Sequence, residues 1–179
     1  MSLEIKVGPP QLAIHQGHAV LLSELNGQIN WPSEKGLYFY DARVIISWTV
    51  YANGEPWDLL NGGTTTSLAA RVFLTNRALI TERGPIDKHT LGLVLSRHID
   101  GGVHEDLDVT NYARTEVRFN LEIALRCDFA DLFEVKSDHC VLPRDGLVRV
   151  DVGTVLHLLL RDRDRQHFSG PVRMIDCER

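Results

Sequence analysis

The clearest regularity in the chain runs over residues 116–129. Val117, Phe119, Leu121, Ile123, Leu125, Cys127 and Phe129 are apolar, and Glu116, Arg118, Asn120, Glu122, Arg126 and Asp128 stand between them, with only Ala124 breaking the polar side. A period of two places one row in a core and the other toward water or a polar partner, whereas a helix would scatter the same residues around its surface. The pattern predicts a strand with Phe119, Leu121 and Ile123 buried. A second signal is the β-branched and aromatic run over residues 44–52, followed by Asn53-Gly54 and then Trp57, Leu59 and Leu60. Asn-Gly between apolar runs predicts a hairpin, because both central residues of a type I′ turn need positive φ.

Shorter patterns fill in the rest. Residues 11–15 follow Pro9-Pro10 and read as an edge strand, residues 18–24 as a strand, and Asn26-Gly27 as a tight turn. Asn61-Gly62-Gly63 reads as a loop and residues 68–74 as a strand. Residues 89–110 form a second hairpin around Gly101-Gly102, in which Leu91, Leu93, Leu95 and Ile99 alternate with polar or small residues, apart from Val94 and Arg97. A single helical turn is expected over residues 130–135, and further strands near residues 141–142, 147–152, 155–161 and 170–175. Many short strands, frequent turn dipeptides and no long helical window predict one domain, 1–179, folded as an antiparallel all-β sandwich.

Composition narrows the function classes. The chain has 179 residues, 44% hydrophobic and 24% charged, enough to build one core. A net charge of −5 is the wrong sign for a nucleic-acid partner. No apolar run reaches the roughly 18 residues of a spanning helix, so no membrane is expected. The three cysteines show no C-x-x-C spacing, and the first residues lack a signal-peptide pattern; a cytoplasmic location is the expectation.

Phosphate-binding glycine motifs and the G-x-S-x-G nucleophile elbow are missing. His98 and His104 could face each other across the second hairpin, but surface histidines beside a turn need no metal, and neither metal nor cofactor is expected. The three tryptophans, Trp31, Trp48 and Trp57, include one on the apolar row of its strand, Trp48; Trp31 and Trp57 are freer to form a platform. Two groups join carboxylates to aromatics: Tyr38, Tyr40, Asp41 and Arg43 with Phe39, and Asp128, Asp131 and Glu134 with Phe129 and Phe133. Glycosidic cleavage needs two carboxylates at a set separation, and sugar binding uses aromatic faces with carboxylates. These seven residues suit a domain interface or glycan-contact surface better than an autonomous catalytic centre. Alternatively, Asp41 and Arg43 pair locally while Phe129 and Phe133 fill the core. If the two strands are antiparallel neighbours, both groups fall at one end of the sandwich.

The segments GLYFYDAR, NGEPW, DVTNY and CDFADLFEVK, in that order, resemble the N-terminal domain of bacterial amylo-α-1,6-glucosidase (glycogen-debranching) proteins. The resemblance covers residues 17–168. It implies a supersandwich-like domain that precedes a separate helical-toroid catalytic domain, which would be the partner of this chain and which the chain does not contain. The acid and base of such enzymes belong to the toroid, so the chain is expected to be non-catalytic alone and to act as an accessory domain, packing on the toroid and touching α-glucan. A self-standing carbohydrate-binding module is the alternative, and an independent small hydrolase a third.

Overall fold

In the computed structural model, residues 8–137 are described. The strands are β1 (Gln11–Gln16), β2 (Ala19–Glu24), β3 (Gly36–Phe39), β4 (Ala42–Ala52), β5 (Glu55–Pro56), β6 (Asp58–Thr64), β7 (Ala69–Thr75), β8 (Leu79–Thr81), β9 (Gly84–Ile86), β10 (Leu91–Ile99), β11 (Val103–Asn111) and β12 (Leu121–Asp131), followed by the helix α1 (Leu132–Ser137). A six-stranded sheet runs in the order β1-β2-β3-β4-β12, with β5 beside β4; a four-stranded sheet runs β11-β10-β7-β6; and β8-β9 is a small separate hairpin. All pairings are antiparallel. The core lies between the two larger sheets: Leu12, Ile14, Leu21, Val50 and Ile123 on one side meet Val72, Leu74, Leu91, Leu93 and Leu95 on the other. The all-β sandwich expected from the alternation is the observed fold. The strands expected between residues 141 and 175 lie outside the described residues.

The hairpin β10–β11 follows its alternation, with Leu91 opposite Asn111 through to Ile99 opposite Val103. The turn after β4 also has the expected form, since Asn53 and Gly54 both have positive φ, 49° and 77°. Its returning arm is only β5, however, which pairs Pro56 and Glu55 with Tyr51 and Ala52. Further down the same edge of β4, Ile29 bridges to Trp48 and β3 pairs with residues 42–45, so no room remains for a longer arm. The chain crosses instead to the second sheet, burying Trp57. Asn61-Gly62-Gly63 is not a loop but part of β6. Glycine is needed there because the Leu25 carbonyl packs where a Cβ of residue 62 would sit.

The long alternating strand departs from expectation at both ends. β12 begins at Leu121, where its partner β4 ends. Before that point Phe119 is only half-buried and sets its ring edge-on to Trp57 at 6.2 Å. Leu121, Ile123 and Leu125 do face the core, opposite Ala52, Val50 and Trp48. The register then shifts at Cys127, which pairs with Ile45 and is exposed. A one-residue slip exchanges the two faces of a strand, so Cys127 leaves the inward row.

One member of the inward row of β10 is charged. Arg97 is 3% exposed. Its Nε donates to Glu105 Oε2 at 2.6 Å on the paired strand, and Nη2 lies against the same carboxylate. Nη1 reaches the opposite layer and donates to the Gly27 carbonyl at 2.9 Å, while the guanidinium sits 4.5 Å from the centroid of the Trp48 ring. The side chain is fixed within its own sheet by the ion pair and ties the two sheets together through one backbone bond and one cation–π contact. Removing either partner strands a buried charge. Arg97→Ala or Glu105→Ala should each cost about 3–5 kcal/mol in a denaturant titration, whereas the joint change Arg97→Met with Glu105→Leu should recover most of that loss.

Candidate contact surface

The pairing of β12 with β4 matches Asp131 with Ala42 and Ala130 with Arg43. It brings the β3–β4 turn and the start of α1 to the same end of the sandwich, where the Leu132 amide donates to the Asp41 carbonyl at 2.8 Å. The β1–β2 turn joins them, since the Tyr40 amide donates to the His18 carbonyl at 3.0 Å.

Six of the seven residues singled out from sequence take three different places at that end, and the seventh is Asp128. Tyr38 and Arg43 are buried. They pair with each other and with Val20 across the face of the sheet opposite to core residue Leu21. The segment over residues 30–35 covers them: the Tyr38 hydroxyl donates to the Glu34 carbonyl at 2.5 Å, and Arg43 Nη1 donates to the Ser33 carbonyl at 2.8 Å. Both are anchors for this segment rather than exposed contact groups.

Asp131 and Glu134 form the capping box of α1. The Phe133 amide donates to Asp131 Oδ1 and the Asp131 amide donates to Glu134 Oε2, each at 2.8 Å. Two amides without helical partners are satisfied reciprocally. The D-x-x-E spacing in DLFE is the signal that marks this start in the sequence. Asp128 lies in β12 within the register shift between Cys127 and Ala130, and its side chain is outside the described set.

Tyr40 and Asp41 remain exposed in the turn. Tyr40 has φ 53°, and its ring stacks on His18 with centroids 4.1 Å apart, 62% exposed. Phe39 meets Tyr40 edge-on at 4.8 Å. Phe39 shares the core-side row of β3 with Leu37 yet is 54% exposed, and Phe133 on α1 is 80% exposed. His18, Phe39 and Phe133 thus supply much of the surface; the sequence grouped Phe39 and Phe133 with the acids, core filling being the alternative for Phe133, and marked His18 only as the start of a strand. Trp31, the remaining exposed tryptophan, lies under the Arg126 guanidinium at 5.6 Å; Trp57 is buried and Trp48 half-buried. His98 and His104 stack at 4.9 Å, and no group of three or more His, Cys, Asp or Glu side chains is arranged to hold a metal ion among the described residues.

The model of a family described as the N-terminal domain of some glycogen debranching enzymes matches residues 14–172. The chain belongs to this family. A search of curated proteins finds no match.

The capping box makes a local prediction. Asp131→Ala should destabilise α1 by about 0.5–2 kcal/mol, seen as faster amide hydrogen exchange at Phe133 and Glu134, while Asp131→Asn, an equally good cap, should leave the exchange rates nearly unchanged.

Proposed function

We propose that this domain is a non-catalytic accessory unit of a glycogen-debranching α-glucosidase, packed against a helical-toroid catalytic domain of the same protein and contributing to the contact with α-glucan. The observation that carries the reading is the aromatic end of the sandwich. Phe39, Tyr40 with His18, and Phe133 expose large apolar surfaces within one region. Exposed aromatic groups clustered in one place mark an interaction surface, and aromatic residues are enriched at interface centres. The carboxylates nearest to that surface support a positional role. Asp131 and Glu134 each commit one carboxylate oxygen to the backbone at the start of α1, a role in positioning the helix.

The reading makes a two-part test. Tyr40→Gly should leave the 179-residue chain as stable as before or slightly more so, because glycine relieves a left-handed conformation that costs an L-residue about 1–2 kcal/mol. In the intact debranching enzyme the same change, combined with Phe39→Ser, should lower the melting temperature or kcat/KM on branched glucan. Unchanged values in the intact enzyme would rule out this surface as the contact. Release of glucose from glycogen by the 179-residue chain alone would overturn the accessory reading.

A further inference from the structure

A second aromatic surface lies on the outer face of the four-stranded sheet. With Leu91, Leu93 and Leu95 of β10 in the core, Gly92, Val94 and Ser96 face the other way. The register extends this outer face across three strands: Thr75, Gly92 and Thr110 in one line, Phe73, Val94 and Asp108 in the next, and Arg71, Ser96 and Asp106 in a third. Asn61 of β6 stands beside Phe73. Phe73 is 41% exposed and Tyr112 69%.

Tyr112 follows β11, and its amide donates to the Thr90 carbonyl at 2.9 Å. Its ring then covers Gly92, for a Cβ at that position would sit 2.8 Å from both Cε2 and Oη. A glycine in a strand interior weakens the strand and marks a place where another group must come close. Here that group is an aromatic ring set down on the sheet, with its far side open to solvent. Strand geometry puts positions 92 and 94, and hence the Tyr112 and Phe73 sites, about 7 Å apart along the strand.

We infer that this face binds an α-glucan chain, with Tyr112 and Phe73 lying against the apolar faces of glucose rings and Asp108, Asn61 and Arg71 bonding to their hydroxyls. The inference rests on the glucan-related role proposed above. The chemistry favours a neutral polyol. Rigid aromatic surfaces with polar groups at their margin suit a ligand that is flat and apolar on its faces and polar around its rim. Asp106 and Asp108 oppose a phosphate-rich ligand such as nucleic acid or an anionic lipid. Carboxylates interleaved with the aromatics are also unlike the centre of a protein interface, from which Asp is depleted. The site is built on paired strands, so it is held in place before the ligand arrives.

The test uses the 179-residue chain with maltoheptaose in calorimetry and with glycogen cast into native gels. The wild type should bind the oligosaccharide and be retarded by glycogen. Tyr112→Ala and Phe73→Ala should each weaken binding about tenfold, in keeping with the loss of one aromatic contact. Gly92→Ala, which displaces the ring without removing it, should weaken binding as well, with thermal melts confirming that each variant folds. Ile80→Ala, an exposed position on the separate β8–β9 hairpin, should bind like the wild type. No binding by the wild type at millimolar maltoheptaose, or binding that survives the Tyr112→Ala/Phe73→Ala double variant, would overturn the inference. Loss of binding in Tyr40→Ala alone would move the glucan to the sandwich end, overturning this inference while leaving the accessory reading intact.

Discussion

The pairing of β4 with β12 is the constraint on which the rest of the domain depends. β4 is long enough to meet β3, Ile29 and β5 in succession along one edge and β12 along the whole of the other. Its pairing with Leu121, Ile123 and Leu125 supplies that side of the core, and its far end delivers Asp131 to Ala42. From there the Leu132 amide bonds to the Asp41 carbonyl, so the helix begins against the turn that holds Tyr40. The two motif blocks, distant in sequence, become neighbours through backbone hydrogen bonds.

Although β6 and the equally local β8–β9 hairpin are not legible in full, period-two patterns in the sequence give correct elements in some places where a strand's partner is also its neighbour in the chain. The β10–β11 hairpin and the Asn53-Gly54 turn are of this kind. What could not be read locally was the occupancy of edges. The arm after Gly54 is short because Ile29 and β3 already hold the rest of that edge, and β12 loses its alternation at Cys127 because of a register shift against β4. Gly62 looked like loop chemistry because the reason for the glycine, the Leu25 carbonyl, comes from another part of the chain. At the aromatic end, the acids and aromatics were visible as a group. Their separation into buried anchors, helix caps and exposed rings depends on burial, which composition does not carry.

Arg97 shows the same limit from the other side. It interrupts an apolar row, and in a hairpin centred on Gly101 its mirror position is Glu105, which interrupts the facing row. The two departures from alternation explain each other. A buried ion pair adds little net stability over apolar residues of similar volume, since desolvation offsets much of the attraction. Its geometry is more selective than an apolar contact, however. Arg97 must meet Glu105, the Gly27 carbonyl and the Trp48 ring at once. A sliding of one sheet over the other by a single residue pair would keep Glu105 but take away the Gly27 carbonyl and the Trp48 ring, leaving a buried N–H group unpaired where that is costly.

The same separation of roles bears on how carboxylates near aromatics should be read in a carbohydrate-related domain. Asp131 and Glu134 sit beside an exposed Phe133, an arrangement that resembles a glycan site in composition. Their oxygens accept the first free amides of α1, so binding a sugar through them would compete with the helix start. The aromatic groups are under no such competition. Tyr40 is held in a left-handed conformation by the His18 stack and the His18 carbonyl, and Tyr112 is held over a glycine, yet each presents most of its ring to solvent. A ring held at a conformational cost and another set over a glycine, both left uncovered, are better evidence of recognition than a pair of acids engaged with the backbone, because nothing in the packing of the described residues accounts for their exposure.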